Sequence, residues 1–243
     1  VGGGIVLDSD AASEAAECRH KVRFLTRTDP GFTLFETLRV EGRRVCRFEA
    51  HLARLLGSAA ALGFSASASA VQAAVDEVLQ TFPADPAQVF RLRVDLSRDG
   101  RVSCRSGALV PLPEGPVRLL GPSGRVPVQE SALLGHKTSL RTAYDAAVRD
   151  AEAVGAFDRL FVNAEGALTE GGRSTLLVRL DGRWTTPPLS AGVLPGVMRS
   201  ALMADPVWQV SERVLWPADL GRAQALAVCN ALRGVLPAVL GST

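Results

Sequence analysis

Lys137 is the residue of this chain best suited to covalent chemistry. The sequence holds 27 lysines and arginines, and only two of them, Lys21 and Lys137, are lysines. Arginine cannot replace lysine where an amine must lose its proton and attack a carbonyl. The guanidinium group has a pKa above about 12, so it stays charged at neutral pH. A chain that uses arginine for nearly every other cation therefore directs attention to these two positions, although chance retention also explains them.

The neighbours of Lys137 suit a reactive amine. An apolar pair and a glycine precede it, and Arg141 follows one helical turn later. Burial and a nearby cation both lower the pKa of a lysine, so that more of the amine is neutral and able to attack. The local sequence fits an exposed lysine at the start of a helix equally well.

Three other positions could supply groups for binding or catalysis. Glu170 stands between two short strands and precedes two glycines, which allow a close backbone approach. A Leu-Pro-Gly turn opens a helix at Val197, and the first amides of a helix form a natural phosphate seat. Arg54, in an amphipathic helix, could bind the same phosphate. Taken singly, each is also typical of an ordinary turn or of a solvated arginine.

Composition excludes several classes of protein. A net charge of +2 with mixed signs gives no electrostatic case for nucleic acid. No apolar run is long enough for a membrane span, and the first residues do not resemble a secretory signal. The cysteines are far apart and separate from the histidines, so we predict no metal site, no disulfide scaffold and a cytoplasmic location. These cysteines are Cys18, Cys46, Cys104 and Cys229.

Hydrophobic periodicity predicts the elements that must position these groups. In the first half, FTLFETLRV and EGRRVCRF predict two strands joined at a Glu-Gly turn, and HLARLLGSAAALGF predicts an amphipathic helix. A second helix is expected around residues 71–82. The segment QVFRLRVDLS alternates, which predicts a half-buried strand whose exposed face carries Arg91, Arg93 and Asp95. RVSCRSGALV is its expected partner strand.

The second half mixes short strands with helices and predicts an α+β domain with a barrel-like sheet. The strands are expected at RLFVN, STLLVRL and ALAVCN, and the helices near RTAYDAAVRDAEAV and GVMRSALM. The Pro-rich segment PLPEGP, residues 111–116, is the best candidate for a linker. We therefore expect a tail with linker at 1–28, an α/β domain at 29–112 and a barrel-like α+β domain at 113–243.

Taken in order, these pieces resemble the class IV aminotransferase family. The resemblance covers most of residues 31–240, with each segment in the order that the family shows. The family includes branched-chain and D-amino-acid aminotransferases and aminodeoxychorismate lyases. The matching segments are FETLRV, HLARL, HKTSLR, LTEGGRSTLLV, TPPLSAGVLPGVMR and ERVLWPADLGRAQALAVCNALRGVLP.

The resemblance implies a two-domain fold like that of D-amino-acid aminotransferase, mixed α/β, with pyridoxal 5'-phosphate between the domains. Lys137 would be the Schiff-base lysine and Glu170 the partner of the pyridine nitrogen. Arg54 and the backbone of Val197 and Met198 would bind the phosphate, and the loop at Asn230 and Ala231 would close that site. The family also implies a homodimer.

Ala231 replaces a hydroxyl residue of some members, so any contact there would be through backbone. A tyrosine that some members carry is Thr142 here, which leaves the role of Tyr144 open.

Two features favour the lyase branch. CNALRGVLP and HKTSLR look more like the lyases than like the branched-chain enzymes, and Thr37 falls where the lyases place a threonine that assists the reaction. In addition, residues 1–25 resemble the C-terminal end of aminodeoxychorismate synthase component I. In that family the residues matching Glu14 and Glu17 help bind magnesium, and the lysine matching Lys21 lies at the chorismate site.

The sequence therefore predicts a lyase that converts 4-amino-4-deoxychorismate to 4-aminobenzoate and pyruvate, as part of a synthase–lyase fusion. Arg93, with Arg91 and Arg233 behind it, is the expected anchor for a substrate carboxylate. Two alternatives stay open at this point. One is a branched-chain or D-amino-acid transaminase on the same fold, and the other is a chorismate-binding module without catalytic activity.

Overall fold

The structure is a computed structural model that describes residues 31–122 and 133–241. Two sheets form the framework of the molecule. The expected synthase-like tail, with Glu14, Glu17 and Lys21, lies outside the described residues. Within the described part of the chain, no helix is long and apolar enough to cross a membrane.

The smaller sheet has four antiparallel strands in the order β2-β1-β3-β4. Two helices, α1 and α2, cover one of its faces. The strands are β1 (Leu34–Glu41), β2 (Arg44–Val45), β3 (Val89–Leu96) and β4 (Val102–Ala108), and the helices are α1 (Phe48–Leu62) and α2 (Ala68–Gln80).

The alternation along β1 and β3 decides which side chains reach the site. Leu92, Val94 and Leu96 are buried against the helices, as the sequence predicts. Successive residues of a strand point to opposite faces, so Arg91, Arg93 and Asp95 lie on the other face. In the antiparallel register Thr37 stands opposite Arg93, so both belong to that second face.

The segment EGRRVCRF differs from its predicted strand. After Glu41, which ends β1, only Arg44–Val45 is extended, and α1 already begins at Phe48, after Arg47 in the left-handed region with φ 56°. The turn itself is tight, because Gly42 has φ 58° and a Cβ there would lie 2.8 Å from the Ala84 carbonyl oxygen. The chain therefore leaves the sheet early and turns directly into the helix that carries Arg54.

The larger sheet has eight strands in the order β10-β9-β8-β11-β12-β5-β6-β7. Its strands are β5 (Val117–Leu120), β6 (Asp158–Val162), β7 (Leu168–Gly171), β8 (Thr175–Leu180), β9 (Arg183–Thr186), β10 (Ser211–Glu212), β11 (Ala225–Asn230) and β12 (Gly234–Leu240). The accompanying helices are α3 (Thr142–Ala153), α4 (Val197–Ala204) and α5 (Pro217–Arg222), with a short 3-10 helix at Leu189–Ala191.

This sheet curls on itself. The edge strand β7 continues directly into β8, which is central in the sheet, and the Gly171 amide donates to the Ser174 carbonyl at 2.8 Å across the turn between them. The edge must therefore bend back toward the middle. The curled sheet encloses buried Leu160, Leu176 and Val228. Mixed α/β structure with a barrel-like second sheet is what the sequence predicts.

Residues 109–116 connect the two sheets without forming a helix or strand. Val110, in this connection, is 72% exposed. A loop rich in proline over the surface suits a boundary between two units. The domain limits at residues 28 and 112 stay a prediction.

Candidate active site

The backbone of Lys137 is fixed to the smaller sheet. The Phe35 amide donates to the Lys137 carbonyl at 2.9 Å, and the Ser139 amide donates to the Thr33 carbonyl at 2.8 Å. These bonds extend β1 along the edge that β2 leaves free, so the residues from Lys137 to Ser139 act as a short additional strand. The position of the Lys137 backbone is thereby set by the smaller sheet.

The amine of Lys137 faces the space between the two sheets. Its Nζ lies 4.6 Å from the centroid of the Phe35 ring, and the residue is half-buried. Burial lowers the pKa of this amine to about 7, and the positive charges of Arg141 and Arg54 contribute in the same direction. At neutral pH a large fraction of Lys137 is therefore neutral, which is the state that attacks a carbonyl.

Glu170, on β7, is the carboxylate that accompanies this amine. It is 9% exposed, and it accepts hydrogen bonds from the Leu194 amide at 3.1 Å and from the Tyr144 hydroxyl at 3.2 Å. Burial raises its pKa to about 7, although these two bonds and the charge of Lys137 oppose the shift. The structure thus assigns Tyr144 a contact with Glu170, a role that the sequence left open.

The two glycines after Glu170 serve the packing of the protein itself. A Cβ at Gly172 would lie 2.7 Å from Val148 Cγ2 and 2.9 Å from the Tyr144 carbonyl oxygen. The close approach suggested by the sequence is therefore an approach of this turn to α3. Buried Asp158 holds the same turn, because its carboxylate accepts from the Arg173 amide at 3.1 Å and from the Ser174 hydroxyl at 2.5 Å.

Arg54 is held in a fixed orientation by a buried carboxylate. Its Nε donates to Glu36 Oε1 at 2.8 Å, and its Nη2 donates to Glu36 Oε2 at 2.6 Å. His51 Nδ1 lies 2.7 Å from the same Oε2. Despite burial, which acts in the opposite direction, Arg54 and His51 lower the pKa of Glu36 to about 2. Glu36 is thus a permanent acceptor, and His51 must carry its proton on Nδ1.

Arg54 also meets the start of α4. Its Nη1 donates to the Pro195 carbonyl at 3.0 Å, immediately before the helix begins at Val197. Gly196 makes no side-chain cap, so the first amides of the helix, including those of Val197 and Met198, are available to a ligand. A guanidinium and a helix N-terminus therefore converge here, a combination that favours a phosphate group.

The turn after β11 borders the same space. Asn230 Nδ2 donates to the Arg173 carbonyl at 3.2 Å, and its Oδ1 accepts from the Arg233 amide at 2.8 Å. From the smaller sheet, Arg39 Nη1 donates to the Leu232 carbonyl at 3.2 Å. Asn230 and Ala231 are consequently held where the two sheets meet.

Arg93 is already occupied by a carboxylate of its own sheet. Its Nε lies 2.9 Å from both carboxylate oxygens of Asp95, and its guanidinium carbon lies 3.7 Å above the centroid of the Phe35 ring. Arg105 also donates to Asp95, at 3.0 Å. Alternation along β3 places Asp95 on the same face as Arg93, which is the signal that could have indicated this pairing.

All the residues that the sequence predicts for the site border one cavity of about 680 Å³ between the two sheets. The cavity brings together Lys137 and Glu170, the anion-binding group made by Arg54, Val197 and Met198, and the loop of Asn230 and Ala231. It also reaches Thr37, Arg91, Arg93 and Arg233. His51 and Arg105 also line the cavity, and Glu36 and Asp95 bind the lining residues Arg54 and Arg93. No role in the site was expected for these four residues from the sequence.

Of the three cysteines that the structure describes, Cys229 lines the cavity, whereas Cys46 and Cys104 do not. Cys46 and Cys104 are half-buried and Cys229 is buried, and none of these three forms a disulfide. Burial raises the pKa of the Cys229 thiol to about 12, so it is not a nucleophile at neutral pH. Among the residues that the structure describes, no group of acidic, histidine and cysteine side chains could hold a metal ion.

The chain is similar to known proteins over most of its length. A protein of Schizosaccharomyces pombe named "Putative aminodeoxychorismate lyase" is 26% identical over 211 residues, which cover 85% of this chain and 89% of that protein. The "Bifunctional aminodeoxychorismate lyase / D-amino acid transaminase" of Mycobacterium tuberculosis is 29% identical over 195 residues, 71% of this chain and 68% of that protein.

A solved structure gives the same fold. The crystal structure of a "Putative amino-acid aminotransferase" from Mesorhizobium loti superposes with a TM-score of 0.77 at 34% identity and covers 86% of this chain and 100% of that chain. The model of the family described as amino-transferase class IV matches residues 33–240. This match includes both sheets and every residue of the cavity described above. The chain therefore belongs to the class IV aminotransferase family.

Proposed function

We propose that this enzyme is a pyridoxal-phosphate-dependent lyase that converts 4-amino-4-deoxychorismate to 4-aminobenzoate and pyruvate. The observation that carries the proposal is the pairing of a neutralisable amine, Lys137, with buried Glu170 at one cavity between the sheets. The names of the two curated relatives favour the lyase within the family.

The cavity suits pyridoxal 5'-phosphate at each functional group. Lys137 offers the amine for the aldehyde, and Arg54 with the first amides of α4 offers the phosphate seat. Glu170 is available to the pyridine nitrogen, and its carboxyl, with a pKa of about 7, can share a proton with that nitrogen. When bound, the cofactor supplies a carbonyl that joins an amine and a ring that takes up electrons.

Lys137 has two tasks in the proposed reaction. Its amine would hold the cofactor, and once free and neutral it would accept the proton from the carbon that bears the substrate nitrogen. The enolpyruvyl group would leave with the electron pair of the bond between the ring and its oxygen, and it would take up one proton to become pyruvate, while the proton lost from the ring carbon passes to the Lys137 amine. The lowered pKa of Lys137 is what makes it a base at neutral pH.

Thr37 is placed to act on the leaving group. It lies on the cavity face of β1, opposite Arg93, and its hydroxyl can hold or protonate an oxygen of the departing enolpyruvyl group. Phe35 and Leu194 also line the cavity near Lys137 and supply apolar surface there. Arg93 and Arg105 share the single carboxylate of Asp95, so this side of the cavity keeps a surplus of positive charge, which suits a carboxylated substrate.

The direct test is incubation of the cofactor-loaded enzyme with 4-amino-4-deoxychorismate and no other substrate. We expect 4-aminobenzoate and pyruvate in equal amounts. The Lys137→Ala variant serves as the control and should form neither. A wild-type enzyme that binds the cofactor but forms no 4-aminobenzoate would contradict the proposed reaction.

An amino-acid transaminase is the second candidate, and the names of relatives favour it specifically. The Mesorhizobium loti structure is named as an amino-acid aminotransferase, and the Mycobacterium tuberculosis relative is named for both activities. A transaminase requires a 2-oxo acid as acceptor, whereas the lyase does not. The transaminase would replace the lyase assignment if the enzyme transferred amino groups between amino and 2-oxo acids. In that case it would form no pyruvate unless an acceptor was added.

The homodimer, the cytoplasmic location and the origin of the chain in a synthase–lyase fusion rest on the sequence resemblance. They accompany the proposed function as further proposals. Sedimentation of the purified protein tests the first of them, since a homodimer has twice the mass of the 25.6 kDa chain.

A further inference from the structure

The ring of Phe35 lies among three cations. The guanidinium carbon of Arg93 lies 3.7 Å from the ring centroid, Lys137 Nζ lies 4.6 Å away and the guanidinium carbon of Arg141 lies 5.9 Å away. All three are within about 6 Å, the range in which the negative face of an aromatic ring attracts a cation. Phe35 is 3% exposed, so solvent screens this attraction only weakly. One buried side chain therefore acts on the reactive amine and on two arginines.

Hydrogen bonds hold the two arginines independently of the ring. Arg93 donates to both carboxylate oxygens of Asp95 at 2.9 Å. Arg141 donates to the Asp145 carboxylate at 2.7 Å and also to the Gly172 carbonyl. A weaker attraction to the ring would leave these bonds in place, so neither arginine depends on the ring for its position.

Lys137 differs from both arginines. Across residues 31–122 and 133–241, its Nζ forms neither a hydrogen bond nor an ion pair, and the Phe35 ring is in cation–π range of it. The same phenylalanine also holds the lysine backbone, because the Phe35 amide donates to the Lys137 carbonyl at 2.9 Å. Phe35 thus fastens Lys137 at its backbone and at its amine.

The surroundings of the amine act on its charge in opposite directions. Burial, the largest influence, and two arginines lower the pKa of Lys137, whereas two carboxylates raise it. An aromatic face attracts the ammonium and not the neutral amine, so Phe35 acts in the same direction as the carboxylates. The charged and titratable groups on the surrounding elements are Arg54 on α1, Glu36 on β1, Arg93 on β3, Arg141 and Tyr144 at the start of α3, and Glu170 on β7.

We infer that Phe35 is a positioning residue for Lys137, whose ring holds the ammonium form in the cavity and helps to set the pH at which the amine becomes neutral. The inference rests on the proposed function for the step in which that ammonium forms. In this step the C–H bond of the substrate carbon breaks, its electron pair stays with the substrate, and the proton forms an N–H bond at Nζ. The ring then holds the lysine together with the proton that it has accepted.

The test uses the small number of lysines in the chain, which are Lys21 and Lys137. Lysine labelled at Cε with an NMR-active carbon isotope gives two signals in the protein without cofactor, and Lys137→Arg identifies which signal belongs to which residue. The chemical shift of Cε follows the charge of Nζ. An NMR titration therefore measures the pKa of Lys137 directly, without cofactor or substrate.

Ring fluorination separates the charge distribution of Phe35 from its shape. Mono-, di- and trifluorinated phenylalanine at this position weaken the negative face stepwise and leave the apolar volume nearly unchanged. We expect the pKa of Lys137 to fall with each fluorine, by about 1 in total, because loss of a desolvated cation–π contact favours the neutral amine. The same substitutions at Phe82, which is buried in the core of the smaller sheet, are the matched control and should leave the titration unchanged.

Ordinary variants give a second test if the fluorinated protein does not fold. Phe35→Tyr keeps an aromatic face and should retain the titration of the wild type. Phe35→Leu keeps an apolar side chain without that face and should lower the pKa of Lys137, and the midpoint of pyridoxal phosphate capture should fall with it. A pKa that rises in Phe35→Leu would show that the ring only excludes water, and would overturn the inference.

The outcomes separate this inference from the proposed reaction. If the pKa of Lys137 falls with fluorination at Phe35 but no 4-aminobenzoate forms, the role of Phe35 stands and the lyase assignment fails. If 4-aminobenzoate forms but the pKa is independent of fluorination at Phe35, the inference is wrong and the lyase assignment stands. Equal shifts from fluorination at Phe82 also overturn the inference.

Discussion

At the scale of single residues, the site depends on two groups whose ordinary pKa values are far apart and whose values in the folded protein nearly coincide. Burial lowers the pKa of Lys137 to about 7 and raises that of Glu170 to about 7. Each charge also favours the charged form of the other group, because Glu170 raises the pKa of Lys137 and Lys137 lowers that of Glu170.

The first prediction concerns the capture of pyridoxal phosphate by the apo enzyme. Only the neutral amine attacks, so the rate of capture should rise with pH through about 7 and level off above it. Stopped-flow absorbance across a pH series measures this rate. A midpoint near 10, the ordinary range for a lysine, would show that burial does not act on Lys137 as described.

Two variants should move that midpoint in opposite directions. The charge of Glu170 raises the pKa of Lys137, so Glu170→Gln should shift the midpoint to lower pH. The charge of Arg141 lowers the same pKa, so Arg141→Gln should shift the midpoint to higher pH. Arg149→Gln, exposed on α3, serves as the control with no shift. Equal shifts in one direction would indicate a general structural effect and contradict the assignment.

Replacement of the lysine itself tests its identity as the reactive group. Lys137→Arg keeps a cation in place but removes an amine that can be neutral, so the absorbance of the covalently held cofactor should disappear. Turnover should fall by at least about 10²–10⁴-fold, the usual contribution of a positioned proton-transfer group alone. Retained turnover with bound cofactor would show that another group performs this step.

At the scale of elements, the turn between β7 and β8 positions Glu170 through close packing on α3. An added methyl at Gly172 would meet Val148 and Tyr144 at under 3 Å, and Tyr144 is the residue that binds Glu170. The helix and the turn therefore act as one unit. A shift of either one moves the carboxylate.

Gly172→Ala should therefore destabilise the protein by about 1–3 kcal/mol, the usual cost of overpacking, and should also weaken cofactor binding. Gly57→Ala is the matched control. Gly57 is exposed within α1 with no atom near its added Cβ, so this change should stabilise the protein by about 0.5–1 kcal/mol. Denaturant unfolding measures both, and a neutral Gly172→Ala would refute the packing argument.

At the scale of the whole molecule, the cavity draws its walls from both sheets. The reactive lysine is fastened to β1 of the smaller sheet, whereas Glu170 and α4 belong to the larger unit. Two arginines cross between them, since Arg54 reaches the Pro195 carbonyl and Arg39 reaches the Leu232 carbonyl. A ligand that fills the cavity binds both halves of the molecule at once.

Cofactor binding should consequently stabilise the whole chain. A ligand that binds only the folded state at a hundred times its dissociation constant adds about 2.7 kcal/mol to the free energy of unfolding. Thermal melts at increasing pyridoxal phosphate should show a rising melting temperature in the wild type. Lys137→Ala should respond at much higher concentrations only. A wild-type melting temperature independent of cofactor would contradict a site shared by both sheets.

The sequence by itself determined the family, the order of the elements and the identity of the groups expected to react. Lys137 stood out because arginine cannot perform its chemistry. The period of two along β3 placed Arg91, Arg93 and Asp95 on one face, because side chains alternate across a strand. Helical periodicity likewise predicted α1 and α2, with boundaries a few residues away from those observed.

Only the tertiary structure decided which charges meet. Alternation along β3 already places Asp95 on the same face as Arg93, whereas the pairing of Glu36 with Arg54 depends on a contact between β1 and α1 that local patterns do not encode. The same holds for the shifted pKa values of Lys137 and Glu170, because burial arises only when both sheets close over them. Local preferences specify elements, whereas desolvation and pairing of charges depend on how those elements pack.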